Sequence, residues 1–137
     1  MKRALLLVAA VAAAEGLPIL LLVAIVVVHG AVTAAPTVES ESAFAAAAGA
    51  WVGPFGGAAA TFVLSWWVGH SRPTTAVRDA AIVGIGVSAL DLVIIETTAT
   101  PWQWLFAISN AGKIAAALIG GRLAAKRSAV VVRSAVV

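Results

Sequence analysis

Thr100 to Arg122, TPWQWLFAISNAGKIAAALIGGR, is an apolar stretch long enough to cross a bilayer, and it carries a lysine near its middle. A spanning helix needs about 20 predominantly apolar residues. An ammonium at that depth costs roughly 3 kcal/mol on insertion scales and more in simulations, so it faces the protein interior or a water-filled cavity and takes a partner. Any fold of this chain must therefore bring an acidic or polar group to Lys113 from elsewhere in the sequence.

Three further apolar runs can supply it. The spans are expected at about Ala4 to Val28, Phe44 to Gly69, Ala80 to Ala99 and Pro101 to Ala124, followed by a short tail, 125–137, to which no element is given. The chain is 62% hydrophobic and 11% charged, against roughly 45–50% and 25% in soluble domains. The expected fold class is all-α: a polytopic integral membrane protein, residues 1–137 forming one up-down-up-down bundle of four transmembrane helices. The N-terminal MKRALLLVAAVAAAEG imitates a signal peptide, but the apolar run resumes at once with LPILLLVAIVVV, so it is read as an uncleaved first span.

Charge placement orients the bundle. Lys2 and Arg3 precede the first span, Arg72 and Arg78 lie between the second and third, and Arg122, Lys126, Arg127 and Arg133 follow the core of the fourth. The other two connections hold no Lys or Arg. Positive-inside bias then expects both termini in the cytoplasm and the chain in the cell membrane. It also accounts for the net charge of +3 without a nucleic-acid partner. The connection HGAVTAAPTVESES, His29 to Ser42, is the only long polar one and is expected to be a mobile spacer. Asp79 is a plausible N-cap for the third helix, and Pro101 suits the first position of the fourth. Trp66, Trp67, Trp102 and Trp104 fit aromatic belts.

Helix two carries Gly49, Gly53 and Gly57 at four-residue spacing, continued by Thr61 and Ser65, a stripe of small residues that lets helices approach closely in lipid. Pro54 should kink or break this helix beside a cavity or buried surface, and Gly16 and Pro18 should do the same to helix one.

Glu15 and Asp91 lie roughly 16 Å in from the expected cytoplasmic ends of their spans, and Lys113 roughly 18 Å in from the outer end of its own, at about 1.5 Å per residue, all near the midplane of a core about 30 Å thick. Glu96 lies further out, towards the headgroups. Gly84, Ser88, Asp91 and Thr98 share one face of helix three, and Ser109, Asn110 and Lys113 share one of helix four. Helices one, three and four are therefore expected to converge. Lys113 should reach Asp91, Glu15 or both, with Asn110 and Ser88 as hydrogen-bond partners. The bland reading is a buried ion pair that fixes helix register and adds little net stability. The functional reading counts two carboxylates against one ammonium. That leaves a formal −1 which burial favours neutralising with a proton or cation, the chemistry of coupled transport.

The segments Ala14-Glu15-Gly16 and Val83-Gly84-Ile85-Gly86-Val87 resemble, over a handful of residues, the embedded glutamate of helix one and the glycine-containing third helix of small multidrug-resistance transporters. The resemblance implies a proton- and cation-binding role for Glu15. The chain departs from that pattern in its long first connection, in Lys113, and in a charge bias that opposes antiparallel dimers, and it is not assigned to the family.

No nucleotide-binding loop, zinc motif or nucleophile elbow is present, and the absence of cysteine excludes disulfides. No enzymatic activity, cofactor or metal is expected. His29 and His70 stand at opposite ends of their spans and are read as interfacial. The first expectation is a proton- or ion-coupled transporter, a homo-oligomer working around Glu15, Asp91 and Lys113. The alternative is a non-catalytic accessory subunit of a larger membrane complex, docked through the glycine stripe or an apolar face. A lipid-moving protein is a third, suggested by Pro18 and Pro54.

Overall fold

The computed structural model describes residues 2–35, 37–97 and 104–134, of which 128–134 by backbone alone. Those residues form five α-helices and two short tighter or wider turns, with no strand among them. Helix α1 spans Lys2–Val32 and α2 spans Val38–Trp51. A π-helical turn over Val52–Gly56 joins α2 to α3, Gly57–Ser71. A 3-10 turn, Pro73–Thr75, leads into α4, Ala76–Thr97, and α5 runs Trp104–Ser134. Four helical stretches, Lys2–Val32, Val38–Ser71, Pro73–Thr97 and Trp104–Arg127, are long and apolar enough to span a membrane.

Each boundary difference from the sequence reading has a local cause. Pro54 has no N–H, and its ring obstructs the carbonyl four residues earlier. The helix does not break there but widens, and the Val52 and Gly57 N–H groups at the ends of the wide turn still find carbonyls at 48–49 and 53–54. Pro18 does not interrupt α1, which is helical on both sides of it. The expected spacer at His29 to Ser42 is instead mostly helix, and only positions 33–37 link α1 to α2. Thr37 and Ser40 form a reciprocal capping box at 3.1 and 3.2 Å, and Glu39 and Glu41 fall in the favourable first turn. His29 stacks on Phe44 at 3.6 Å and 8°, which pins α1 against α2 at this corner. The 125–137 tail is not structureless either, because α5 continues to Ser134. The position given to Pro101 as a helix start, and Trp102 and Thr98, lie outside the described residues.

Contacts between helices rise and fall in step with residue number. Gly84 abuts Ala117 while Gly121 abuts Ala80, so α4 and α5 run in opposite directions. Gly57 meets Lys113 and Gly69 meets Ala124, so α3 and α5 run together, as do α1 and α4 through Arg3 with Asp79 and Val11 with Gly86. Consecutive long helices thus alternate in direction. One end of the bundle holds the α1–α2 corner, and the other holds Arg3, Asp79 and the end of α3.

The interior is built from small side chains. Leu7, Ala10, Ala14, Val68, Val83 and Val87 form the core cluster, and Thr61, Ser65, Ala80, Ala117 and Ala124 are fully buried. Large apolar groups point outward instead, among them Leu5, Leu20, Val27, Ile85 and Ile108. Residues that would be core in water form a girdle here, and van der Waals contact through small residues holds the helices together. The glycine stripe of helix two does not act as one seam. A Cβ at Gly53 would meet nothing within 4 Å, and at Gly49 only Leu22 at ordinary contact distance. The π turn separates these two from the tight run Gly57, Thr61 and Ser65, because it changes the residue-per-turn count between them.

Two helix backbones approach closely at Gly120, where an added Cβ would lie 2.6 Å from the Phe62 carbonyl oxygen and 3.0 Å from the Trp66 nitrogen. Gly120→Ala should destabilise the detergent-solubilised bundle by about 1–3 kcal/mol through overpacking against backbone. Gly112, exposed on the same helix with nothing within 4 Å of its added Cβ, should gain up to about 1 kcal/mol on replacement by Ala. Thermal unfolding of the two variants in one detergent checks the contrast.

Candidate functional site

Glu15, Asp91 and Lys113 meet where α1, α3, α4 and α5 converge, and Glu96 stands exposed further along α4. Lys113 Nζ donates to Glu15 Oε1 at 2.6 Å and to Asp91 Oδ2 at 2.7 Å. Lys113 is 4% exposed and Glu15 8%, while the Asp91 side chain is somewhat more open at 17%. Burial at this depth makes each charge expensive alone, and only their mutual contact makes the set tolerable. Helix α3 contributes by offering no side chain. A Cβ at Gly57 would stand 2.5 Å from Lys113 Cε and 3.2 Å from its Nζ. Thr61 donates to the Gly57 carbonyl at 2.7 Å, which holds the first turn of α3 beside the lysine.

A cavity of about 350 Å³ opens above these groups, towards the end holding the α1–α2 corner. Glu15, Asp91 and Lys113 form its charged floor, and its walls include Pro18, Leu22, Gly49, Gly53 and Phe106. Gly49 and Gly53 therefore line space rather than seal helices. Ser109 adds a hydroxyl to the wall. Below the floor the small-residue core closes the bundle. With all three groups ionised the floor carries a formal −1.

The structure brings three of the five expected site residues together and leaves two apart. Asn110 does not bond Lys113. Its Nδ2 donates to the Phe106 carbonyl at 3.0 Å, one turn back along its own helix, and its Oδ1 finds no partner in the chain. Ser88 is buried but its Oγ is likewise without one. The two carboxylates take two of the three lysine donors.

A second charged cluster was not legible as such. Asp79, read as an N-cap, stands instead inside the first turn of α4 and is fully buried. Arg3 donates to its Oδ1, Thr75 donates to its Oδ2 at 2.8 Å, and Arg78 Nε lies 3.9 Å away. The signal available was positional: Arg3 and Asp79 sit at the same level of two parallel helices. His29 and His70 stack on Phe44 and Trp66 at opposite ends.

The stoichiometry of the central triad has a measurable consequence. Lys113→Met would strand two buried carboxylates and should cost about 3–5 kcal/mol. Glu15→Gln leaves a one-to-one pair and should cost far less. Adding Glu15→Gln and Asp91→Asn to Lys113→Met should recover most of the loss. Unfolding midpoints that ranked Glu15→Gln with Lys113→Met would contradict the shared-ammonium geometry.

No family model matches the chain, and no curated protein or solved structure does either.

Proposed function

We propose that the chain crosses the cell membrane four times with both termini in the cytoplasm. We propose further that it is a proton- or ion-coupled transporter that works as a homo-oligomer, Glu15 and Asp91 exchanging one cation around Lys113. The reading is supported above all by one observation: two carboxylates and one ammonium line the base of a cavity that extends from them towards the α1–α2 corner. Positive-inside bias makes that the outer end. The formal −1 is neutral when one proton or monovalent cation is present, so loading and unloading alternate between two charge states at the midplane. Closure towards the cytoplasm rests on the small-residue core and on the Arg3–Asp79 bridge. The π turn at Val52–Gly56, beside open space at Gly53, is a natural place for the second span to flex. The apolar outer girdle is what a lipid-facing surface requires.

A second reading, an accessory subunit, is favoured by an apolar groove of about 510 Å³ between α1 and α4, lined by Val11, Ile82, Gly86 and Leu90 among others. Such a groove suits a neighbouring helix, from another copy or from a different subunit.

Reconstituted protein should dissipate a pH gradient when a monovalent cation is supplied on the opposite side. Glu15→Gln should reduce that flux at least tenfold while the folded protein persists, because Asp91 still pairs with Lys113. Flux unaffected by Glu15→Gln and by Asp91→Asn would overturn the transport reading. A stoichiometric second polypeptide in the native mass of mildly solubilised protein would favour the accessory one.

A further inference from the structure

We infer that the cytoplasmic end of the α3–α5 seam is a binding site for an anionic phospholipid, its headgroup held by Lys126 and Arg127 and its glycerol and upper acyl region lying on Leu123 and Trp66. The inference rests on the membrane reading above and not on the transport reading.

The charge ledger of this end is lopsided. Lys2, Arg3, Arg72, Arg78, Arg122, Lys126 and Arg127 all lie there, and of the chain's six acidic residues only Asp79 does. Asp79 is already engaged by Arg3, with Arg78 close by. Among the described residues, neither Lys126 nor Arg127 has a carboxylate within salt-bridge reach. Both are exposed. Both are therefore open to an anion from outside the described chain.

The shape of the place says which anion. The α3 and α5 backbones touch at Gly120, against Phe62 and Trp66. Beside that contact a groove of about 340 Å³ is lined by Trp66, Leu123, Lys126 and Arg127. Lys126 and Arg127 stand three and four residues beyond Leu123, so all three share a face of α5. That face runs from an apolar side chain, nearer the midplane, to two cations one turn further along α5. Trp66 stacks on His70 at 5.7 Å, with the ring at the depth where indoles sit at an interface. An amphipathic ligand with its negative group at the cytoplasmic surface matches this order, and basic pockets between spans on that side take anionic headgroups. A free phosphate would use the cations and leave Leu123 and Trp66 unexplained.

Tryptophan quenching by lipids with brominated acyl chains tests the site in delipidated, detergent-solubilised protein, using the difference between wild type and Trp66→Phe to isolate one ring. Brominated phosphatidylglycerol should quench Trp66 at roughly tenfold lower concentration than brominated phosphatidylcholine. Lys126→Gln with Arg127→Gln should abolish that preference. Arg72→Gln with Arg78→Gln, which removes as much charge from the same end, should keep it. Lys126, Arg127 and Arg78 are exposed and Arg72 is half-buried, with Arg78 3.9 Å from Asp79, and unfolding midpoints in lipid-free detergent verify that both variants fold. Equal quenching by the two lipids, or equal loss in the two double variants, would overturn the site. So would displacement of phosphatidylglycerol by inorganic phosphate at matching concentration, which would identify a free anion as the ligand. Quenching of no tryptophan by either lipid would overturn the membrane reading with it, whereas the flux carried through Glu15 stands or falls separately.

Discussion

One ammonium shared by two carboxylates ties the bundle together. Lys113 on α5 bonds Glu15 on α1 and Asp91 on α4, residues 98 and 22 positions away in the chain. Three helices are thereby fixed in rotation and in height at one level. The fourth wall, α3, is set by exclusion, because only glycine at position 57 leaves room for the lysine stem. The packing on either side of this level then differs. Towards the end that holds Arg3 and Asp79, alanine, valine and glycine close the interior. Towards the other end the π turn and two prolines hold the walls apart, and space remains above the charges.

That asymmetry links energetics to the proposed role. Buried charge sets contribute little net stability when compared with well-packed apolar groups, and their removal one partner at a time is costly. A chain needing only a register lock would be served by a one-to-one pair. The second carboxylate adds a negative charge that a closed core would have to neutralise, yet here it faces a cavity. The Arg3–Asp79 pair makes a useful contrast: it also joins α1 to α4, but only Asp79 is buried, Arg3 is about a third exposed, and the pair lies at the other end of the bundle. Two bridges between the same helices thus sit in different surroundings.

The surface divides along the same axis. Large aliphatic and aromatic side chains are exposed along the helices, and cations gather at one end. The proposed membrane setting would answer both features at once, with hydrocarbon over the apolar surface and anionic headgroups beside the cations.

Much of this was legible in the sequence, for identifiable reasons. The four apolar stretches follow from length and hydropathy alone, since hydrocarbon-scale segments have few other folds. The meeting of Glu15, Asp91 and Lys113 followed from equal depth and from the cost of leaving any of them alone. The helix ends were less legible, because His29 to Ser42 looks like a polar loop until His29 stacks on Phe44 and Thr37 caps α2. Asp79 looked like a cap because its partner, Arg3, is 76 residues away. Asn110 and Ser88 shared the right faces, yet helical periodicity says nothing about which donor a rotamer selects. The glycine stripe is split rather than continuous within the chain, because regular four-residue spacing presumes a regular helix and Pro54 makes it irregular between Gly53 and Gly57. What the sequence by itself determined was which residues must lie in apolar surroundings and which charges must find one another, both consequences of solvation. Only the tertiary structure decided which side of the triad is open, because voids arise from how side chains of different helices fit, a quantity no single helix carries.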